Sequence, residues 1–392
     1  METLKTNADR AAAVSPDEAE RQAEQAARKA ERQAAKQRLT EERRLQRLQK
    51  AEARREAKHR EREALRARAY EHYLRVRGWA RRVPPAAGAP VEPPPGPPEQ
   101  QMASALAPLW DASPEMIGAL RRWTAPITGV RPEDYDTPSR DRALRLKYAV
   151  ATLRRHAGAD LFVQELPLLG GFGVEWHRQF YNEDTVRFFK ALVALQDGGV
   201  LGACRGESPR RLIWDIGGGW GGFALQLKTV CPNVTYLITG MPELLLVSAV
   251  YLMTAFPAAR CRFYGEAAGR DLWNGWEEVD FVFAPDSVVA ELAPPAVHAT
   301  LDLMSLRGTS DARAAWYVQR AFDFESRYFF SQLPGPCFPE VVPPVWRSIE
   351  RKYWLHQVPP PLDASAFFVE DLDKAPVIDD YAQVVGWRRL RV

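Results

Sequence analysis

Asp215, Gly217, Gly219 and Gly221 recur at two-residue intervals in Leu212-Ile213-Trp214-Asp215-Ile216-Gly217-Gly218-Gly219-Trp220-Gly221-Gly222. An apolar run passes into glycines and then into helix-forming residues, which reads as strand, tight turn and helix. Glycines at such a turn let a ligand approach the backbone, and a helix N-terminus behind them offers amides to an anionic group. The spacing fits two ligand classes. Gly217, Gly219 and Gly222 satisfy G-x-G-x-x-G, the cradle of a dinucleotide pyrophosphate. Asp215 with Gly217, Gly219 and Gly221 instead puts a carboxylate at the strand tip. That charge would repel a pyrophosphate and suits a ligand carrying ammonium and sulfonium groups. A purely structural glycine turn is the third reading.

Displacement of a methyl group from a sulfonium needs donor and acceptor aligned first, and a base for the acceptor proton second. The candidates are His177 in Trp176-His177-Arg178, Asp286 at the tip of a strand predicted over residues 280–284, Glu291 beyond it, and His298 in a helix expected to follow. Each also has a plainer role as a surface or capping polar group. Trp273, Trp276, Trp346, Tyr353 and Trp354 offer faces on which a sugar would stack, although such clusters more often build cores. No His, Cys, Asp or Glu spacing suggests zinc, and no metal site is expected.

The wider segment IWDIGGGWGGFALQLKTVCPNVTYLITGMPELLLVSAVYLMTAFP resembles the sugar O-methyltransferase family, a class I S-adenosylmethionine-dependent methyltransferase group with the turn D/E-x-G-x-G-x-G. Pro242-Glu243, Tyr251-Leu252 and the Ser287 to Leu292 stretch with Glu291 sit where that family has counterparts. The resemblance covers Gly170 to Val392. It implies a Rossmann-like sheet and S-adenosyl-L-methionine held by Asp215, Gly217, Gly218, Gly219 and Gly221. It also implies an acceptor hydroxyl on a sugar or glycosylated natural product. Two positions depart from the pattern: Gly240 stands where the family carries an acid for the ribose hydroxyls, and Ala290 replaces a glutamine. Glu243, one helical turn beyond Gly240, is the expected substitute. The alternative is a noncatalytic scaffold or regulatory protein that keeps the fold and assembles through its N-terminal helix.

From Pro209 short β-like runs alternate with helical ones, the pattern of a parallel sheet with crossover helices. Strands are expected at 211–216, 235–239, 262–264, 280–284 and 328–332, with 366–370 and 383–390 closing the sheet; helices are expected at 221–230 and 242–256. Residues 101–204 read as a mainly helical cap, including 140–156 and 182–196. Residues 83–100 are a proline-rich linker, because proline lacks the amide donor and pushes its neighbours toward extended geometry. Residues 1–82 are expected to form a charged helix or weak coiled coil, with alanine at most apolar positions and few leucines, among them Leu39, Leu45, Leu48 and Leu65. The expected architecture is therefore α/β: a Rossmann-like class I methyltransferase sheet in residues 205–392, a helical N-terminal cap and a long charged N-terminal helix.

Composition narrows the partners. The 392 residues carry a net charge of +3, yet residues 17–82 hold about nine more basic than acidic side chains, so any polyanion affinity belongs to that segment alone. A nucleic-acid partner is not expected, and homo-oligomerisation through the N-terminal helix is. The four cysteines, Cys204, Cys231, Cys261 and Cys337, form no C-x-x-C pair and read as reduced thiols. The longest near-continuous apolar run, Leu244 to Phe256, is too short for a bilayer, and the N-terminus lacks a signal-peptide core. A cytoplasmic protein without membrane contact is expected.

Overall fold

The structure, a computed structural model, describes residues 16–82, 97–206, 209–266, 271–307, 309–334, 342–357 and 381–389. By internal contacts the chain forms two units, Met1–Ala64 and Leu65–Val392. Helix α1, Pro16–Ala80, contributes to both. Residues 27–64 of it are exposed, Leu39, Leu45 and Leu48 included. From Leu65 its composition changes, and Ala69, Tyr73, Val76 and Trp79 make one buried stripe at helical spacing. The Tyr73 hydroxyl donates to the Trp110 carbonyl (2.9 Å) and accepts from the Ala112 amide (3.0 Å), while Trp79 Nε1 donates to the Tyr264 carbonyl (2.7 Å). The expected boundary lay at the proline linker, further along the chain. The division falls inside the helix, and the last four turns of the charged segment belong to the core. Of the linker, residues 83–96 lie outside the described residues, as do Cys337 and the strand expected at 366–370.

The cap follows with α2 (Pro97–Leu106), several single turns, and α3 (Arg140–Ala157). A hairpin of β1 (Val174–Trp176) and β2 (Gln179–Tyr181) comes next, in a region expected to be mainly helical. Helix α4 (Glu183–Asp197) begins at a reciprocal cap in which Asn182 and Thr185 satisfy each other's amides. The sheet then builds from β3 (Arg211–Ile216), α5 (Gly222–Val230), β4 (Val234–Gly240), α6 (Pro242–Ala255), β5 (Cys261–Phe263) and β6 (Phe281–Pro285). It continues with β7 (Ala299–Leu303), α7 (Asp311–Asp323), β8 (Tyr328–Pro334), α8 (Pro344–Glu350), β9 (Tyr353–Gln357) and β10 (Tyr381–Arg388). Proline at the first position of α6 costs no hydrogen bond, because that amide has no partner in any helix.

The eight strands run in the order β5-β6-β4-β3-β7-β8-β10-β9. The first six are parallel, and β10 is antiparallel to both neighbours. This is the doubly wound, Rossmann-like arrangement with an antiparallel strand near one edge. Its central strands are buried on both faces. One face packs on α4, α5, α6 and the cap through residues such as Phe189, Phe223 and Leu245. The other packs on α7 and α8 through Trp214, Tyr317 and Trp346. Trp346 and Tyr353 are thus core aromatics, whereas Trp354 is exposed.

The chain leaves β3 toward β4 and later returns to β7 on the opposite flank of β3. That reversal opens a crevice at the C-terminal ends of β3 and β7, the place where open α/β sheets bind ligands. No helix among the described residues is long and apolar enough to cross a membrane.

Candidate functional site

The glycine turn fills the crevice's inner wall. Gly217, Gly218, Gly219 and Gly221 all take positive φ (84°, 57°, 52° and 87°), a path that side-chain-bearing residues avoid. A Cβ on Gly217 would collide with Ser305, and one on Gly218 with Ile238. The turn's amides face inward: Gly217 donates to the Thr239 carbonyl (2.7 Å), Gly219 to that of Gly217 (2.7 Å) and Gly221 to that of Gly218 (3.0 Å). The Gly218 amide goes to the Asp215 carboxylate. A pyrophosphate would find these four donors already engaged.

Asp215 is buried and accepts a hydrogen bond from the Tyr236 hydroxyl (2.9 Å). Burial pushes its carboxyl up to about 7, with the Asp302 charge adding to the rise and the Tyr236 and Gly218 donors opposing it. Asp302, on the neighbouring β7, accepts from the Leu306 amide (3.0 Å) and the Ser331 hydroxyl (2.8 Å). Burial lifts it to about 6.

Two cavities flank the turn. The larger spans about 720 Å³, open solvent at its mouth included, and is lined by Ile216, Gly217, Gly219, Met241, Leu244 and Asp286, together with Glu99 and Met102 of α2 and Arg313 of α7. The smaller, about 390 Å³, is lined by Asp215, Gly218, Gly219, Trp220 and Arg187. Ile127, Leu303, Met304 and Ser305 line both. Met304 has φ 69°, a strained setting for a side-chain-bearing residue and one that recurs at functional sites.

Behind the smaller cavity Arg121 is wholly buried and joins the cap to the turn. It bonds Glu165 (2.8 Å) and Asp184 (2.8 Å), and its guanidinium lies 3.8 Å from the Trp220 ring centroid. Burial alone would lower its pKa, but the two carboxylates more than offset this and raise it. Burial raises that of Glu165.

Of the residues singled out by sequence, the cavities gather Asp215, Gly217, Gly218, Gly219 and Asp286. Gly221 stands behind them as the N-cap of α5. Three of the four base candidates are not among the residues lining these two cavities. His177 occupies the exposed turn of the β1–β2 hairpin and packs on Trp176 (ring centroids 4.5 Å apart). Glu291 is exposed and accepts from the Tyr264 hydroxyl (2.7 Å). Neither is among the residues that line these two cavities. His298, expected on a helix, stands just before β7, buried and bonded to the Val200 carbonyl (2.9 Å). Glu243 accepts from Trp110 Nε1 (3.3 Å) and is not among the lining residues. Gly240 has its own cause, since a Cβ there would stand 2.9 Å from the Gly217 carbonyl oxygen.

Sequence reading missed Glu99, Arg313, Met304 and Ser305. The last two follow β7, which Ala299-Thr300-Leu301-Asp302-Leu303 hid by carrying an aspartate in an apolar strand; the tight run of β-branched and apolar residues was the available signal. Among the described residues no group of three or more His, Cys, Asp or Glu is placed to hold a metal ion.

The sequence matches no protein-family model and no curated protein. Solved structures with a related fold include the S-adenosylmethionine-dependent methyltransferase SibL in its apo form, 12% identical over 74% of this chain and 77% of that one, at a TM-score of 0.33. The N-terminal domain of EvdMO1, solved in the presence of SAH and D-fucose, is 12% identical over 64% of this chain and 98% of its own, also at 0.33. Precorrin-6y C5,15-methyltransferase from Geobacter metallireducens GS-15 is 11% identical over 49% and 87%, at 0.29. Likenesses this loose carry no argument about activity, which rests on the site itself.

Proposed function

We propose that this chain is an S-adenosyl-L-methionine-dependent O-methyltransferase whose cofactor spans the two cavities at the β3–β7 crevice. One observation carries the reading: a buried carboxylate, Asp215, stands beside a glycine turn in which the amides of Gly217, Gly218, Gly219 and Gly221 are consumed internally. Such a site is built against phosphate and for a cationic ligand. The chemistry of the lining supports the reading. Met241, Leu244 and Ile127 give the larger cavity an apolar lining for a nucleoside, while Asp215 and Arg187 give the smaller one opposite charges for an amino-acid moiety. Bound there, the cofactor would supply a methyl group on a sulfonium, transferable in one displacement.

The chain's own work is then mostly positioning. The glycine turn allows close approach, and Asp215 holds a negative charge opposite the cation. Asp286, the one base candidate that lines a cavity, takes the acceptor's hydroxyl proton. The sequence resemblance supports an acceptor hydroxyl on a sugar or glycosylated product. Transfer of a labelled methyl group to a panel of glycosides tests this. Asp286→Asn is expected to cut turnover by about 10²-fold or more while S-adenosylhomocysteine still binds. Cofactor binding with no label on any sugar hydroxyl would remove the acceptor assignment.

A further inference from the structure

Residues 27–64 of α1 are exposed throughout and carry fourteen lysines and arginines against seven glutamates. The two signs are not interspersed around the helix. At 3.6 residues per turn, Arg32, Lys36, Arg43, Arg47, Lys50 and Arg54 fall on one face within an arc of about 80°. Lys29 and Lys58 extend the same row at its ends. Six of the seven glutamates, from Glu31 to Glu63, fall on the opposite side, and only Glu61 shares the basic face. A helix built for solvent alone mixes the signs at i,i+4, where opposite charges attract and like charges repel. Here Arg32 with Lys36, Arg43 with Arg47, Lys50 with Arg54 and Arg54 with Lys58 are like pairs at that spacing. The row therefore weakens the helix by itself, and a partner of opposite charge relieves it.

We infer that this row binds the phosphodiester backbone of a single-stranded nucleic acid, without regard to base sequence. Net charge alone does not point to such a partner; the segregation of charge onto one face does. From Lys29 to Lys58 the row runs about 44 Å at 1.5 Å per residue. A duplex winds its phosphates once around the axis in about 34–36 Å, whereas a single strand is free to follow the whole row. Residues 27–64 contain no Phe, Tyr or Trp, so bases find no ring to stack on and the contact is to phosphate. A lipid surface is the poorer match. The exposed large apolar residues of this segment, Leu39, Leu45 and Leu48, fall on different sides of the helix and form no face that could enter a bilayer. A symmetric pair of copies joined through either charged face would set like charges together. The inference is independent of the cofactor reading above.

The test is fluorescence anisotropy of a labelled single-stranded RNA of about 30 nucleotides with the full-length protein over a salt series. A duplex of the same length and co-sedimentation with phosphatidylcholine–phosphatidylserine vesicles at about 3:1 are the comparisons. Saturable binding of the single strand is expected, equal within about threefold for two unrelated sequences, weaker for the duplex and falling as salt rises. Replacing Arg47→Gln together with Lys50→Gln should reduce the salt slope by about 1.4, two phosphate contacts at about 0.7 each. Replacing Arg38→Gln together with Arg60→Gln removes the same charge from the acidic side and should leave the slope unchanged. Glutamine is nearly as good a helix former as arginine or lysine, so both variants keep the helix. An equal loss in the two variants would show attraction to bulk charge and overturn the inference. No saturable binding of the RNA, binding of vesicles in its place, or tighter binding of the duplex overturns it as well.

Discussion

At the scale of single residues the site turns on Asp215. Its spacing to the glycines was legible in the sequence; its burial and the Tyr236 hydroxyl beside it were not, because they depend on the adjacent strand. The group's carboxyl is raised to about 7 from an ordinary value of 3.8. A folded-state value above the unfolded one means that the fold prefers the protonated acid. Its stabilising contribution is therefore complete below about pH 4 and is lost as pH rises through 7, and Asp302, raised to about 6, acts in the same sense. Ligand binding has the opposite slope, since a cation needs the ionised form. We expect affinity for S-adenosylhomocysteine to rise from pH 6 to pH 8 and level off above about 8, while the melting temperature of the free protein falls over the same interval. Asp215→Asn should flatten both curves. Calorimetry and thermal denaturation across the pH series check this, and a pH-independent affinity in the parent protein would contradict it.

At the scale of elements, β3, α5, β4 and α6 could be read within a residue or two of their bounds. Apolar runs, glycine punctuation and Pro242 all act locally there. What escaped were elements whose identity is set by distant contacts. Strand β7 carries Asp302 because Ser331 and the Leu306 amide satisfy it, and the β1–β2 hairpin lies inside a segment that reads as helix. Helix α1 is the instructive case. Its charged composition reads as a separate helix or weak coiled coil, yet four residues of its last turns are core, among them Tyr73 and Trp79, which donate hydrogen bonds to the Trp110 and Tyr264 carbonyls. Removing residues 1–64 is expected to leave the melting temperature within a few degrees of the parent. Removing residues 1–82 should abolish soluble, folded protein, because losing even one buried aromatic of this size costs about 3–5 kcal/mol. Thermal denaturation of the two truncations decides, and a stable, folded protein lacking residues 1–82 would return the boundary to the proline linker.

At the scale of the whole sheet, the strand order makes the site. A parallel sheet that reverses direction at β3 must leave a crevice there, and both cavities open beside the residues that end β3 and β7. Sequence periodicity gave the α/β class but not this order, which depends on β7 being recognised as a strand at all. The ligand class is the central claim, and titration calorimetry of the full-length protein with S-adenosylhomocysteine and, separately, with NAD tests it most directly. The inward-facing amides and the buried Asp215 predict saturable one-to-one binding of S-adenosylhomocysteine and no heat from NAD. Binding of NAD with none of S-adenosylhomocysteine would show that the turn cradles a pyrophosphate after all.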